Sequence, residues 1–393
     1  MPTKQELIQQ LLKDPVGFTH NEFLQLVGPP EAANDPDVDN PDKRINFDDL
    51  HQMLLRIYDI NEKSFMEESD ASTGMMGFFN RLSTKARQRK YRKLVRNGFR
   101  LQTKLSSGRS NKIIVAEGDS WFQFPVFIKD IIDWLMTVPN HAIYSMAYGG
   151  SWISNIIYEG KYIEELSIHA PDVFLISGSG NDLVGSDRVA IMVDKSNACK
   201  RYTQNQFSER YSEWDSTELE KMWAAQQYIT NSFYAFLWVI KMQYWIMFKG
   251  IGRSVKLQHT MIITQGYDYP IPSLKKHFSW RYPLEWFVNA ALDSGHWLAE
   301  PLLIKGIPAV YHRYLLLLFI SEMNEVFIDL AHTFKQVYHI DARGVAADKD
   351  WWDELHLKDY KFKQVAAAYD FCINENAANN KVVRAVDFIS NSL

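Results

Sequence analysis

From residue 111 onward, short unbroken apolar runs alternate with longer segments whose apolar residues recur every three or four positions. The runs cover 113–116, 142–147, 173–176, 261–264 and 337–340, each followed by glycine, aspartate or other turn-forming residues. Runs of this length bounded by turn signals predict strands buried on both faces, and the periodicity between them predicts helices. Strand alternating with helix predicts a parallel sheet covered on both sides, an α/β fold. In such sheets ligands gather outside the carboxyl ends of the strands. Two helical, aromatic-rich stretches, about 186–258 and 270–332, interrupt the alternation and read as insertions that shape a substrate site.

The pattern before residue 111 is different. Residues 1–80 predict a helical N-terminal domain with helices at 5–12, 21–27 and 47–58, the last presenting Leu50, Met53, Leu54 and Ile57 on one face. Between the second and third helices, alternating acids across 35–49 bring a calcium loop to mind. The central glycine is missing, Pro41 intrudes and no glutamate closes the site, so the reading adopted is a turn loop built on Asx residues and proline. Residues 81–110 predict a basic helix and linker. Over 81–112 the chain carries only basic charges, among them Arg81, Lys85, Arg87, Arg89, Arg92 and Lys93. Such a segment can contact phosphate at a membrane surface, but it reads first as a solvated helix packing on a more acidic region. Aromatics are sparse there and no recognition motif accompanies it, so nucleic acid is not an expected partner.

Composition narrows the classes. The chain is 46% apolar over 393 residues, enough for a sizeable core, and its net charge of −4 gives no global attraction to polyanions. Cys199 and Cys372 form no disulfide framework. The N-terminus lacks the apolar core of a signal peptide, and the expectation is a cytoplasmic protein or one exported without such a peptide. The densest aromatic run, 233–248, approaches the length of a membrane span. Lys241 and Gln243 interrupt it, so it reads as a buried helix, with a lipid-facing lid as the alternative.

Four strand ends carry candidate chemistry. After the first comes Gly118-Asp119-Ser120-Trp121; after the second, Gly149-Gly150-Ser151-Trp152; after the third, Gly178-Ser179-Gly180-Asn181-Asp182; after the fifth, Asp353-Glu354-Leu355-His356. Strand, glycine, serine, then helix would hold a hydroxyl exposed and aim free N–H groups at a reacting oxygen; the plain alternative is a turn with an incidental serine. Ester hydrolysis by serine needs a base, a group that orients the base, and donors for the oxyanion, and each role has a candidate. The Asp-x-x-His spacing occurs three times, at Asp293/His296, Asp329/His332 and Asp353/His356. Asp329 and His332 lie in a stretch, 322–334, with helical periodicity, and Asp293/His296 lie in an insertion. Only Asp353/His356 follow a strand closely and precede a helix at 360–372. Asp119 reads as a cap or brace for the turn that aims Ser120, Asp182 as a cap for the segment that follows it, Glu117 as a charge contact for the basic segment, and Tyr267 or Asp268 as candidates for the cleft rim.

This set resembles the SGNH (GDSL-type) hydrolases, whose sequence blocks supply Ser, Gly, Asn and His in that order. The resemblance covers about 111–185 and 258–375. It implies a three-layer α/β/α hydrolase domain over 111–393 with a flavodoxin-like sheet, and esterase chemistry on a lipid, an acylated sugar or a small ester. By resemblance Ser120 is the nucleophile, His356 the base and Asp353 its orienter. Ser120, Gly150 and Asn181 supply the oxyanion donors, with Gly149 as the alternative if the match slips by one. Trp121 stands where the family has Leu or Ile, Ser179 where it has glycine, and Trp152 beside Gly150 crowds the same wall; with Tyr267 and Asp268, Trp121 and Trp152 are the expected substrate-binding residues. No zinc spacing, Walker loop or dinucleotide fingerprint is present, so no metal or cofactor is expected. The rival reading is an inactive scaffold of the same fold that docks through its basic segment.

Overall fold

Six strands build one wholly parallel sheet in the order β2-β1-β3-β4-β5-β6. The strands are β1 (Lys112–Glu117), β2 (His141–Ser145), β3 (Val173–Ile176), β4 (Met261–Gln265), β5 (Val337–Asp341) and β6 (Val382–Arg384). The computed structural model describes residues 2–31, 34–60, 74–100, 109–124, 128–184, 188–273, 297–375 and 380–388. The five apolar runs became β1 to β5 because a parallel sheet buries both faces: in β3 and β5 every residue is buried. The register sets Val115 beside Phe174, Leu175 beside Ile263 and Ile263 beside Tyr338. The expectation missed β6, whose three residues are too few to show a period. Strand order reverses direction at β1, which lies between β2 and β3, so the flavodoxin-like switch point falls at the carboxyl end of β1.

Helices cover the sheet. In chain order they begin with α1 (Lys4–Lys13), α2 (His20–Val27), α3 (Phe47–Tyr58) and α4 (Gly74–Arg96), followed by α5 (Ile131–Leu135), α6 (Ile153–Glu159) and α7 (Lys161–His169). Next come α8 (Gly180–Val184), α9 (Arg188–Ile191), α10 (Gln204–Arg210), α11 (Ser216–Gln226) and α12 (Asn231–Arg253). The series closes with α13 (Ala299–Ile304), α14 (Ala309–Thr333) and α15 (Asp359–Asn374). Helix α7 packs on β1, α14 on β5 and α4 on β2, while α15 packs on α5, β5 and β6. The long helices α12 and α14 pack on each other. They connect β3 to β4 and β4 to β5, so the stretches read as insertions also contain crossovers of the sheet.

Capping boxes start the first three helices, with Thr3/Glu6, Thr19/Glu22 and Asn46/Asp49 each exchanging side chain and backbone. These helices do not enclose a core of their own: their apolar faces join the core of the sheet through α12. Phe23 lies edge-on to Trp245, ring centroids 5.0 Å apart.

The 233–248 run lies within α12, where 16 of 23 residues are buried among protein side chains. The run is thus a buried helix, the reading adopted for it. Its amine and amide N–H groups find partners inside the protein: Lys241 pairs with Asp329 at 2.7 Å, Gln243 donates to Ser154 at 3.0 Å and Lys249 reaches Asp35 at 2.8 Å. Among the described residues no helix is long and apolar enough to cross a membrane. In the acidic loop Asp35 is bound by Arg44 and Lys249, Asp37 by Lys43, Asp39 by Arg253 and Asp49 by Lys4. Asp35 and Asn40 accept the backbone N–H groups of Asp37 and Asp42, the turns expected of Asx residues. The basic segment is helical in its first part, with Lys85, Arg89, Arg92, Lys93 and Arg96 along an open face. Arg87 is the exception. It is buried, 2.6 Å from Asp130 and 2.8 Å from Asp133.

Candidate active site

At the end of β1 the chain must pass close to the end of β3. A Cβ on Gly118 would stand 2.6 Å from the Ser177 carbonyl oxygen, so only glycine fits. Asp119 then braces the turn, as expected. Its Oδ1 accepts the Trp121 N–H at 3.1 Å and the Ser177 hydroxyl at 2.7 Å, and the Tyr267 hydroxyl donates to Oδ2. Burial raises the Asp119 pKa against the pull of these three bonds. The predicted helix directly after Ser120 is a single turn instead, closed by the Phe122 and Gln123 N–H groups on the Asp119 carbonyl; α5 begins only at Ile131. Arg87 holds this turn from the side, donating to the Phe122 carbonyl at 2.6 Å and to Gln123 at 2.8 Å.

The fifth strand end brings the partner. His356 Nε2 lies 2.7 Å from Ser120 Oγ, and its Nδ1 lies 2.8 Å and 2.9 Å from the two Asp353 oxygens. The three-residue spacing works because Asp353 also accepts the Leu355 and His356 N–H groups, each at 2.7 Å, so one carboxylate shapes the turn and holds the ring. Burial pushes Asp353 up, but His356 and those N–H donors outweigh it and hold the carboxyl below its ordinary value. Phe124 covers the imidazole at 4.4 Å between centroids. Between the pair, Glu354 faces away and accepts the N–H groups of Ser273, Leu298 and Ala299 at 2.6, 3.0 and 3.3 Å.

Of the remaining candidates, Asn181 opens α8 and lines the cleft at Ser120, its amide donating to the Ser151 carbonyl at 3.0 Å. The cleft is about 40 Å³, and its walls include Trp121, Leu183, Tyr267, Asp268 and Met323. Trp121 is buried, its Nε1 donating to the Leu355 carbonyl at 3.2 Å. Asp268 borders the cleft, but its carboxylate is engaged by the Gly344 and Ala346 N–H groups at 2.7 Å each; burial pushes it up to about 7. Gly150, at φ 92°, faces a neighbouring cavity, whereas Gly149 sits so close to the Gln123 carbonyl that a Cβ would stand 2.8 Å from it.

Three expectations need correction. Trp152 does not line the cleft at Ser120; its indole lies beneath the Arg188 guanidinium at 3.3 Å. Asp182 caps α6 rather than the segment after it, accepting the Ile153 N–H at 2.8 Å and the Ser154 hydroxyl at 3.2 Å. Glu117 makes no ion pair with the described part of the basic segment; it accepts the Gly118 N–H at 2.9 Å. Asp329 pairs with Lys241 on the far side of α14, and Asp293/His296 lie outside the described residues. Among the described residues no three His, Cys, Asp or Glu side chains gather as a metal would require.

Ser177, Tyr267 and Arg87 are the site-bracing residues that the sequence reading left without that role. Only the serine-rich character of 177–182 hinted at one of them. Ser179 sits at φ 85°, a left-handed conformation that glycine adopts without strain.

No protein-family model matches the chain, and no curated protein matches it. Among solved structures it is similar to the Clostridium thermocellum family 3 carbohydrate esterase, at 12% identity, covering 67% of this chain and 96% of that one, with a TM-score of 0.31. A Parabacteroides merdae protein assigned as a GDSL-like lipase matches at 11% identity over 55% of this chain and 97% of that one, with a TM-score of 0.23. What the structure itself shows is an α/β fold: one parallel sheet in the order β2-β1-β3-β4-β5-β6 under a helical cover.

Proposed function

We propose that the chain is a serine ester hydrolase. Ser120 Oγ attacks the ester carbonyl while His356 Nε2 takes its proton, and Asp353 holds the ring and balances the imidazolium charge. The Ser120 and Gly150 N–H groups with the Asn181 amide receive the oxyanion. The alcohol leaves with the proton from His356. Water, deprotonated by the same ring, then releases the acid and restores Ser120. The observation that carries this reading is the 2.7 Å approach of His356 Nε2 to Ser120 Oγ with Asp353 2.8 Å behind the ring.

The cleft beside Ser120 is small, about 40 Å³. That favours a short acyl group over a long chain on a lipid, an acylated sugar or a small ester. A p-nitrophenyl ester series tests both parts. Acetate should be cleaved at least tenfold more efficiently than octanoate, and Ser120→Ala should lose about 10⁴-fold in kcat, His356→Ala a similar factor and Asp353→Asn about 10²- to 10⁴-fold. Wild-type turnover retained in Ser120→Ala would reject the mechanism. A preference for octanoate would reject the acyl assignment alone.

A further inference from the structure

Beside the cleft lies a second cavity of about 550 Å³, which the proposed hydrolysis touches only at Gly150. One wall is Glu117, the last residue of β1. Glu117 is 8% exposed, its Oε1 accepts the Gly118 N–H, and among the described residues its Oε2 has no hydrogen-bond partner. Tyr144 and Tyr148 line the same space, and Glu159, Glu164 and Glu165 stand at its rim with Lys161 as the one basic residue among the described lining. Lys161 is committed to Glu159 at 2.5 Å, and Glu165 to the Tyr144 hydroxyl at 3.0 Å and His169 at 3.2 Å. Among its described side chains, helix α4 contributes the uncharged Thr84 and Gln88. Among the described residues, Glu117 and Glu164 therefore have no ion-pair partner. Gly150 and Ser151 belong to this lining, and the Ser151 carbonyl holds the Asn181 amide of the cleft, so the two spaces share a wall.

We propose that this cavity is a subsite for a positively charged group, an ammonium carried on the alcohol portion of the ester; the assignment rests on the esterase reading of Ser120. A buried carboxyl with a spare oxygen and an acidic rim favour a cation, and an anion would meet four glutamates against the single Lys161. Burial pushes the Glu117 carboxyl up to about 8 despite the Gly118 N–H and Lys161, with Glu159 adding to the rise. A cation that enters displaces that proton to solvent. A phosphate next to the ammonium would face Glu159 and Glu164, so the chemistry fits a small cationic ester rather than a zwitterionic lipid headgroup.

Acetylcholine and its neutral isostere 3,3-dimethylbutyl acetate test the assignment as a pair. The charged ester should show at least tenfold higher kcat/KM, and the ratio should collapse toward one in Glu117→Gln and fall about threefold in Glu164→Gln, a solvent-facing change that spares the fold. Equal kcat/KM for the two esters, or a ratio unmoved in both variants, overturns the subsite. Calorimetric titration of Ser120→Ala protein with tetramethylammonium separates this from the parent reading. Saturable millimolar binding, weakened by Glu117→Gln, supports the cation site even if no ester is cleaved, a result that would sink the esterase reading alone; absence of binding overturns the site. Phosphocholine binding more tightly than tetramethylammonium would overturn the choice of a small ester over a headgroup.

Discussion

Beside the candidate nucleophile, Asp119 shares its two carboxylate oxygens among Trp121, Ser177 and Tyr267, which anchors the turn bearing Ser120 to β3 and β4. Removing the Tyr267 hydroxyl leaves a buried carboxyl short of a donor. Tyr267→Phe should cost about 1–3 kcal/mol of stability and lower kcat more than it raises KM, because the turn loosens while the cleft wall stays aromatic. Thermal denaturation and steady-state kinetics with p-nitrophenyl acetate check this; an unchanged kcat would mean that the contact only supports the fold. At this scale legibility follows sequence distance. Asp353 and His356 are three apart and announce themselves, whereas Ser177 and Tyr267 lie 58 and 148 positions from Asp119 and carry no local signal. Arg87 was hidden for another reason: nothing in a run of basic residues marks the one that turns inward toward Asp130.

Among the elements, α12 is the hub on which the N-terminal helices meet the sheet. Its apolar run was readable as buried because Lys241 and Gln243 break it, yet their partners, Asp329 and Ser154, could not be read from spacing. Asp35 ties the loop before α3 to Lys249 of this helix. Burial alone would raise the Asp35 pKa, but Arg44, Lys249 and the Asp37 N–H overcome it and hold the carboxyl down to about 2. An ordinary aspartate titrates near 3.9 when unfolded, so the stabilisation is fully present above about pH 4 and is lost as pH falls through about 2. Asp35→Asn should therefore lower stability at pH 7, and its stability should fall less steeply than wild type between pH 4 and 2. Urea denaturation across that range measures it. Parallel curves for the two proteins would place the acid sensitivity elsewhere.

For the molecule as a whole, the convergence of four strand ends follows from a parallel sheet whose order reverses at β1. That is why a reading of strand runs and their trailing residues could anticipate where Ser120, Asn181 and His356 would meet. The crossover role of α12 and α14, the three-residue β6 and the displacement of Trp152 beneath Arg188 were beyond such a reading, because each depends on packing between distant segments. The central claim is that imidazole activates one particular hydroxyl. A fluorophosphonate probe, followed by mass spectrometry of the labelled peptide, tests it most directly. The account predicts a single adduct on Ser120, abolished in Ser120→Ala and slowed at least 100-fold in His356→Ala. Labelling that is absent from the native protein, that falls on another serine, or that proceeds at the native rate without His356 would contradict it.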